Sequence, residues 1–454
     1  MDDYRLIADG IAADIATGRL RPGEQLPTQR AFARRRGIAN STATRVYREL
    51  ARRGLTVGEV GRGTFVRAGR DGDDGRVALA EPAAAPVDLE LNYPTAPGQA
   101  DLLAAGLAPL LRADALGAAL RPVGAVGTGA ARRAFAGLLS TDAWTVDPER
   151  LLFAGNGRQA VAGALSALVP PGQRLGVEAL TYPVVRAVAE RLGIRLVPLP
   201  MDGDGLLPGA VTAAHRTAPL RAVYLQPRLQ NPTGASLPQE RAVALAGELR
   251  RLDLPVVEDA IWSFLRPAAA PLAALAPERT VLVDSLSKRL APGLTTGFAV
   301  LPDGLRDRVA GALRAGGWAP GGFALEAAVR WIGDGTVAAV EAAKRTDAAA
   351  RQALAREVLA GQRMRADPCS YYLWWELPGA WRAETFVAAA ARAGISVTAA
   401  AAFAVDPRST PSAVRVGLAS PPLPVLGRAL GVLAGIATGG ETGTGVGEQL
   451  TTDR

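Results

Sequence analysis

The chain has 454 residues, of which 49% are hydrophobic and 21% charged. This length exceeds one ordinary domain, and the composition is typical of a globular protein with a large core. An acidic start and the lack of a long uncharged apolar run exclude a signal peptide and a membrane span, so we expect a cytoplasmic protein. The single cysteine, Cys369, excludes an internal disulfide framework, and the lone His215 excludes a histidine-rich metal site.

The positive charge is concentrated at one end of the chain. The formal net charge is +8, and residues 1–70, with fourteen arginines against seven acidic residues, contribute +7 of it. A small basic segment in front of a nearly neutral remainder indicates a domain that binds a polyanion.

The pattern of the basic segment predicts two helices before residue 37. Apolar residues recur at helical spacing from Tyr4 to about Thr17, which predicts a helix that Gly18 ends. Thr28 is placed to cap a second helix from Gln29 to Arg36, and Gly37 follows it as a stop signal.

A third helix and a β-hairpin follow. The pair Asn40-Ser41 offers a cap for a helix from about Thr42 to Arg53. After it, residues 55–57 and 63–66 alternate like two short strands around a glycine-rich turn. The spacing of the second and third helices is that of a helix-turn-helix, and the hairpin is placed as a wing.

In such a domain the third helix enters the major groove of double-stranded DNA. Its first residues would face base edges or phosphates, and the arginines of the second helix and the wing would bind the backbone. The residues that we predict to contact DNA are Arg30, Ser41, Thr42, Thr44, Arg45, Arg62 and Gly63. The alternative is a solvated, arginine-rich helical hairpin without a partner.

Two runs carry a family resemblance. The run IATGRLRPGEQLPTQRAFA, from Ile15 to Ala33, resembles the front of a GntR-type winged helix, and GRGTFV, residues 61–66, resembles its wing. The resemblance implies a DNA-binding domain at residues 1–68 and a dimeric bacterial transcription regulator.

The remainder predicts a linker, an α/β domain and a tail. Residues 69–86 are rich in Gly, Ala, Pro and acidic residues, which indicates a flexible linker, and residues 438–454 predict a disordered tail. Between them, apolar runs alternate with alanine-rich helical stretches, which favours an α/β domain with a largely parallel sheet. The predicted strands are 174–177, 196–199, 222–225, 256–257, 281–283 and 297–300.

Four side chains follow strand-like runs, where ligands bind in parallel sheets. They are Tyr182, Asn231 in the run NPTG, Asp259 and Lys288. Lys288 is one of only two lysines in an arginine-rich chain, and only a primary amine can form an imine with an aldehyde. Taken singly, these residues could be a turn, a helix cap or a surface lysine.

The order of these residues resembles the fold-type I pyridoxal-phosphate enzymes, in particular the class I aminotransferases. With the winged helix in front, the chain resembles a MocR-type member of the GntR family. The resemblance implies an aminotransferase-like domain at residues 87–437, with a smaller C-terminal α/β subdomain from about residue 320, and a homodimer.

The resemblance also implies roles for individual residues. Lys288 would be the imine-forming lysine, Asp259 would pair with the pyridine nitrogen, and Asn231 would bind the ring oxygen. Tyr182 would lie against the ring, and Arg415 would bind the carboxylate of an effector. The phosphate of pyridoxal 5'-phosphate would be held by Asn156, Gly157, Arg158 and Ser285.

The chain departs from the family pattern at four positions. Thr295 replaces the arginine expected on the cofactor phosphate, and Ile261-Trp262 replace a tyrosine near the ring. Pro122 and Leu229 stand where an aromatic residue and a histidine are usual. We hypothesise that Arg158 or Arg289 binds the phosphate instead.

These departures affect turnover more than ligand binding. We therefore interpret the chain as a transcription regulator that senses pyridoxal phosphate together with an amine or amino acid. The alternatives are an aminotransferase with residual or full activity, and a DNA-binding protein whose large domain is only a dimerisation scaffold.

Overall fold

The structure, a computed structural model, describes residues 3–16, 19–20, 24–53, 55–59, 63–66, 85–267, 269–379 and 381–439. Arg62, most of the predicted linker and the predicted tail beyond Gly439 lie outside these residues. No helix in the described ranges is both long enough and apolar enough to cross a membrane.

The described residues up to Val66 form helices packed on a small antiparallel sheet. The helices are α1 (Asp3–Ala16), α2 (Gln29–Arg36) and α3 (Asn40–Arg52). The strands are β1 (Gln25–Leu26), β2 (Thr56–Glu59) and β3 (Gly63–Val66), in the order β1-β3-β2. This is the predicted winged helix, with one strand, β1, that the sequence pattern did not indicate.

Helix α2 has the predicted bounds and caps. The Thr28 hydroxyl oxygen accepts a hydrogen bond from the backbone N–H of Ala31 at 3.3 Å, which satisfies a donor that the helix cannot pair. Gly37 ends the helix with φ of +61°, a left-handed conformation that glycine adopts without steric cost.

The start of α3 differs from its prediction. The helix begins at Asn40, and the residue before it, Ala39, is extended and makes no side-chain cap. The Ala39 carbonyl accepts the N–H groups of Thr42 and Ala43, at 3.0 and 3.1 Å, so the first turn closes two residues earlier than predicted. The expected cap at Asn40-Ser41 is therefore wrong.

An apolar core joins the three helices to the sheet. Phe32 of α2 and Tyr47 of α3 pack edge to face, with ring centroids 5.4 Å apart. The Tyr47 hydroxyl donates to the Pro27 carbonyl at 2.5 Å, so the buried phenol keeps a partner. These contacts fix α3 against α2 and leave the outer face of α3 to solvent.

The rest of the described chain is an α/β structure. Its helices are α4 (Gln99–Leu107), α5 (Ala113–Ala119), α6 (Gly129–Leu139), α7 (Gly157–Leu168), α8 (Pro183–Arg191), α9 (Ala210–Thr217), α10 (Gln239–Arg251), α11 (Leu272–Leu275), α12 (Leu286–Arg289), α13 (Arg306–Ala315), α14 (Gly322–Gly333), α15 (Thr336–Val358), α16 (Ala383–Arg392) and α17 (Leu423–Ala437). Short 3-10 turns lie at Ala108–Leu111, Pro148–Arg150, Ser263–Leu265, Asp303–Leu305, Ala400–Ala402 and Pro407–Ser409.

Fifteen further strands lie in this described region. They are β4 (Val87–Asp88), β5 (Leu151–Ala154), β6 (Arg174–Glu178), β7 (Arg195–Leu199), β8 (Met201–Asp202), β9 (Gly205–Leu206), β10 (Ala222–Leu225), β11 (Val256–Asp259), β12 (Thr280–Ser285), β13 (Gly297–Val300), β14 (Met364–Arg365), β15 (Tyr372–Glu376), β16 (Ile395–Ser396), β17 (Thr398–Ala399) and β18 (Ala413–Gly417).

The central sheet has seven strands in the order β5-β13-β12-β11-β10-β6-β7. Strand β13 runs antiparallel to both of its neighbours, and the other pairs are parallel. The inner strands are buried along their whole length, as expected of a sheet covered on both faces by helices. The predicted α/β class with a largely parallel sheet is confirmed. The sequence analysis omitted only one strand of this sheet, β5.

A second sheet forms the smaller subdomain. Its four strands lie in the order β14-β15-β18-β17 and are antiparallel. Strand β4, which follows the predicted linker, pairs in parallel with β16. The segment that leaves β4 therefore runs from the small subdomain to the edge of the large sheet, and it contributes to the site described next.

Candidate functional site

The candidate site lies where four neighbouring parallel strands end. Strands β12, β11, β10 and β6 are adjacent in the large sheet and point the same way. The predicted ligand residues Lys288, Asp259, Asn231 and Tyr182 each follow the carboxyl end of one of these strands or terminate it. The sheet order thus brings together residues that are up to 106 positions apart in sequence.

Lys288 is a partly buried amine in a polar and aromatic setting. Its Nζ donates to the backbone carbonyl of Asn92 and lies 4.4 Å from the ring centroid of Tyr93 and 5.2 Å from that of Trp262. Burial, together with the positive charges of Arg415 and other nearby cations, lowers the Lys288 pKa from 10.5 to about 7. A large fraction of this amine is therefore neutral, and so nucleophilic, near pH 7.

Asp259 is a buried carboxylate with each oxygen engaged. Its Oδ2 accepts from the Tyr224 hydroxyl at 2.6 Å and the Gln226 amide at 3.0 Å, and its Oδ1 accepts from the Ile261 N–H at 3.1 Å. Burial raises the Asp259 pKa, and these donors oppose the rise. A protonated ring nitrogen placed against this side chain would restore the charged form.

Arg415 and Asn231 are hydrogen-bonded to each other in the site. Arg415 donates through Nη1 to Asn231 Oδ1 at 3.0 Å, and through Nη2 to the Glu90 carbonyl and to Thr398 Oγ1 at 3.3 Å. Its guanidinium lies over the Phe403 ring at 5.0 Å. Because Asn231 accepts through its oxygen, its amide nitrogen is the group that can donate to a ligand.

The Arg415 charge is offset only at a distance, by the carboxylates of Glu90 and Asp88, which act to raise its pKa. Among the described residues no carboxylate forms a salt bridge with it, and its Nε is buried without a hydrogen-bond partner. Burial lowers the Arg415 pKa because the charged form loses hydration. A buried cation in this state favours an anionic ligand, and a planar guanidinium suits a carboxylate.

The start of α7 forms a narrow cradle beside α12. A Cβ on Gly157 would lie 3.0 Å from Ser285 Oγ, and one on Gly297 would lie 2.2 Å from the Asn156 carbonyl oxygen. Asn156 Oδ1 caps the helix by accepting the Gln159 N–H at 3.0 Å. The Gly157 and Arg158 N–H groups precede the first intrahelical bonds, so this helix start can donate to a phosphate.

Hydroxyl groups continue this cradle where the family has an arginine. Ser285 Oγ donates to Ser287 Oγ at 2.9 Å, and Ser287 Oγ lies 2.8 Å from Thr295 Oγ1. Free helix-start N–H groups, close glycine contacts and a row of hydroxyls all suit the phosphate of pyridoxal phosphate. The residues present therefore fit the cofactor.

The two arginines suggested as replacements for Thr295 differ in availability. Arg289 is buried and pairs with Asp284 at 2.7 Å and with Glu341, so its charge is already neutralised. Arg158 instead lies near the phenols of Tyr182 and Tyr93, whose proximity raises the Arg158 pKa. The hypothesis for Arg289 is wrong, and Arg158 remains the candidate.

The other departures from the family pattern have structural consequences. Trp262 is only 4% exposed and packs against Tyr372, with ring centroids 5.8 Å apart. The Tyr372 hydroxyl donates to the Leu229 carbonyl, and Pro122 is exposed. An indole thus lines the pocket where a phenol was expected, and it supplies an aromatic face without a titratable hydroxyl.

Sequence reasoning missed several contributors to the site. Asn92 and Tyr93 reach Lys288 from the segment after β4, and Tyr224 and Gln226 hold Asp259. A strand-end position was the only available signal for Gln226. Nothing in the local pattern of Asn92 and Tyr93 indicates a site, because their contacts are almost 200 positions away.

The predicted DNA contacts can be placed on the winged helix. Arg30, Ser41 and Arg45 are exposed, and Thr42 is partly exposed. Thr44 has an internal role, since its hydroxyl lies 2.9 Å both from Gln29 Oε1 and from the Asn40 carbonyl.

Two of the predicted DNA contacts, Arg62 and Gly63, belong to the wing. Gly63 starts β3 with φ of +120°, and a Cβ there would lie 2.6 Å from the Gln25 amide. Arg62 lies outside the described residues.

Two family models account for nearly the whole described chain. The model described as "Aminotransferase class I and II" matches residues 92–433, and the model described as "Bacterial regulatory proteins, gntR family" matches residues 3–66. The chain belongs to the aminotransferase class I and II family. With the gntR-type domain in front of it, the chain has the MocR-type arrangement.

Related regulators share this arrangement. The uncharacterized HTH-type transcriptional regulator YdeF of Bacillus subtilis is 27% identical over 92% of this chain and 90% of its own length. The HTH-type transcriptional regulator TauR of Rhodobacter capsulatus is 30% identical over 64% of this chain and 66% of its own length. This MocR-type chain is a DNA-binding transcription regulator with an aminotransferase-like domain.

Solved structures of aminotransferases share the large fold. An archaeal alanine:glyoxylate aminotransferase aligns with a TM-score of 0.72 at 20% identity, over 79% of this chain and 92% of that one. The α-aminoadipate aminotransferase LysN of Thermus thermophilus aligns with a TM-score of 0.71 at 21% identity, over 80% of this chain and 96% of that one. At this identity the likeness shows the fold alone.

The lowered pKa of Lys288 gives a testable pH dependence. With a pKa of about 7, the neutral amine should rise from roughly a tenth of the protein at pH 6 to roughly nine-tenths at pH 8. The rate of pyridoxal phosphate attachment, followed by visible absorption, should rise over the same interval and then level off. Lys288→Ala should show no attachment. A rate that begins to rise only above pH 9 would contradict the burial argument.

Proposed function

We propose that this regulator binds pyridoxal 5'-phosphate and an amine or amino-acid effector in its large domain, and that binding changes its affinity for operator DNA. One observation carries the proposal: a neutralisable amine, Lys288, shares a pocket with a partly buried guanidinium, Arg415, that forms no salt bridge among the described residues. An amine and a guanidinium in this relation are what an aldehyde cofactor and a carboxylated amine require.

The residues of the pocket have separable tasks in this proposal. The cofactor, when bound, supplies an aldehyde and an electron-accepting ring. Lys288 would provide the amine that bonds to the aldehyde, and Asp259 would pair with the ring nitrogen. Asn231 would donate its amide N–H to the ring oxygen, Tyr182 would cover one face of the ring, and Arg415 would hold the effector carboxylate.

Sensing requires less of this pocket than turnover does. An aminotransferase must move a proton on every cycle, and a phenol beside the ring tunes that step. Trp262 occupies this region and has no hydroxyl to do so. Lys288 and Arg415, which attachment and effector binding need, are both in place. The observed side chains therefore support a sensor over an aminotransferase or an empty scaffold.

The winged helix supplies the DNA-binding half of the proposal. The exposed residues Ser41 and Arg45 lie on the first turns of α3, where a recognition helix meets base edges, and Arg30 is exposed on α2. Thr42 flanks the same turn, and Gly63 and Arg62 belong to the wing. Effector and DNA must then affect each other's affinity by the same factor, because the coupling is reciprocal.

Gel-shift titration tests the coupling. The DNA should be a fragment that the protein itself selects from a random library, and the ligands should be pyridoxal phosphate with and without a panel of amino acids. We expect one or more amino acids to change DNA affinity by roughly 5- to 150-fold, the usual range of allosteric coupling. Arg415→Gln should abolish this change because it removes the carboxylate partner.

Arg45→Ala is the matched control for the DNA-binding half. It should weaken DNA binding equally with and without the effector, because it lies on α3 and not in the pocket. A DNA affinity that no ligand changes, in protein shown by absorption to hold the cofactor, would refute the sensing function.

We further propose that Arg158 replaces the missing phosphate arginine. It stands at the start of α7, beside the hydroxyl row that includes Thr295, and it forms no salt bridge among the described residues. A small rotation of the flexible Arg158 side chain would let its guanidinium form a charge-assisted hydrogen bond with the phosphate. The backbone N–H of Arg158 would stay at the helix start.

Arg158→Gln should weaken pyridoxal phosphate binding by roughly 10- to 100-fold, as expected for loss of a charge-assisted bond. Adding Thr295→Arg to this variant should recover part of the loss, because it returns the cation to the family position. Equilibrium absorption titration measures both. If Arg158→Gln binds the cofactor as tightly as the unaltered protein, Arg158 has no role at the phosphate.

We also propose that the large domain forms a homodimer. Large apolar side chains are exposed around α5: Leu111 is 68% exposed and Leu120 is 85% exposed. Leu102 and Leu116 are exposed nearby. Clustered apolar groups of this kind usually mark an interface.

Leu120→Glu should place a charge in this interface and weaken the dimer at least tenfold, which sedimentation equilibrium would measure. Val243→Glu, at an exposed apolar position on α10, is the matched control and should leave assembly unchanged. A monomeric unaltered protein at micromolar concentration would overturn the proposal.

A further inference from the structure

The second lysine of the chain lies directly behind the first. Lys344 is on α15 and is 0% exposed, although lysine is rarely buried completely. Its neighbours on the helix, Glu341 and Asp347, form ion pairs with arginines: Glu341 with Arg289, and Asp347 with Arg351. No salt bridge joins Lys344 to either carboxylate in the described part of the chain.

The Lys344 amine instead donates hydrogen bonds to backbone carbonyls at the end of α12. Its Nζ donates to the carbonyl oxygen of Lys288 at 3.0 Å and to that of Leu290. These carbonyls lie at the carboxyl end of a four-residue helix, where no following turn can pair them. The contact therefore fixes the backbone of the residue whose side chain projects into the pocket.

A second contact from α15 reaches the same short helix. Glu341, one turn before Lys344, pairs with Arg289, which follows Lys288 in sequence. One face of α15 thus holds both the backbone of Lys288 and the side chain of Arg289. A helix of four residues has little stability of its own, so its orientation depends on such contacts.

Lys344 also acts on Lys288 through its charge. The cations that face Lys288 are Arg415, Arg158 and Lys344, from β18, α7 and α15, and each lowers the Lys288 pKa in addition to burial. Tyr93 faces the amine with its ring. Burial lowers the Lys344 pKa as well, to about 7, while Glu341 and Asp347 oppose that shift.

We propose that Lys344 is a positioning residue for Lys288: its buried amine anchors the Lys288 backbone, and its protonated form adds to the positive charge that favours a neutral Lys288 amine. A compact ammonium with three donors suits two converging carbonyls in a closed space, whereas a planar guanidinium is larger and needs a wider one. This accounts for a lysine here in a chain that otherwise uses arginine. The proposal rests on the proposed role of Lys288.

Trace labelling of amines with acetic anhydride tests this without any cofactor. The chain has only two lysines, so the peptide that contains Lys288 reports its reactivity unambiguously by mass spectrometry as the pH is varied. Lys344→Met should raise the labelling midpoint of Lys288, with about a 1.5- to 2-fold loss of reactive amine at pH 7, because Arg415 and Arg158 contribute more to the lowered pKa than Lys344 does. The titration should also steepen, because two coupled amines become one.

Two further variants separate positioning from general packing. Lys344→Gln keeps a hydrogen-bond donor but removes the charge, so it should also raise the Lys288 midpoint. It replaces Lys344→Met as the test if the methionine variant folds poorly. Gln352→Met is the matched control: Gln352 is fully buried on the same helix and donates to the Ser370 and Tyr372 carbonyls, away from α12. It should lower the melting temperature without moving the midpoint.

An unchanged Lys288 midpoint in both folded Lys344 variants would overturn the proposal, as would an equal shift in Gln352→Met. Because the labelling needs neither cofactor nor DNA, this result is independent of whether the protein senses pyridoxal phosphate. A protein that fails to bind the cofactor but shows the midpoint shift would refute the sensing function and keep the role of Lys344.

Discussion

The parallel pairing of β12, β11, β10 and β6 is the constraint on which the site depends. Parallel neighbours end at one edge of the sheet, so whatever follows each strand is delivered to the same place. The chain places an amine, a carboxylate, an amide and a phenol there. Because each side chain is fixed by its strand end, the pocket is assembled by the sheet.

The pocket carries positive charge that no salt bridge among the described residues neutralises. Lys288 is surrounded by cations, and Arg415 has its guanidinium buried on carbonyl, hydroxyl and amide oxygens. The neighbouring arginine Arg289, by contrast, is buried in a salt bridge with Asp284. The difference indicates that the pocket is adapted to anionic ligands, and a phosphate and a carboxylate are the anions that its two ends suit.

Helix α15 joins the two ends of this pocket. Its first half contacts α12 through Lys344 and Glu341. Its second half donates from Arg351 to the Leu418 and Pro421 carbonyls, just beyond the strand that carries Arg415. Helix α15 therefore contacts both the segment that carries Lys288 and the segment that follows Arg415. Because hydrogen bonds depend on angle as well as on distance, these contacts to backbone carbonyls fix the orientation of α15 relative to both segments.

The sequence by itself determined the winged helix, the α/β class and six of the seven strands of the large sheet, because glycine stops and apolar runs are local signals. It could also nominate Lys288, since a rare residue type followed a strand. Only the tertiary structure decided which residues meet. Arg289 and Arg158 look equivalent in sequence, yet Arg289 is neutralised by Asp284 and Arg158 lies near phenols. The contacts of Lys288 with Asn92, and of Lys344 with the Lys288 backbone, join segments 196 and 56 positions apart. No local pattern encodes such contacts, because they depend on how the sheet and α15 pack.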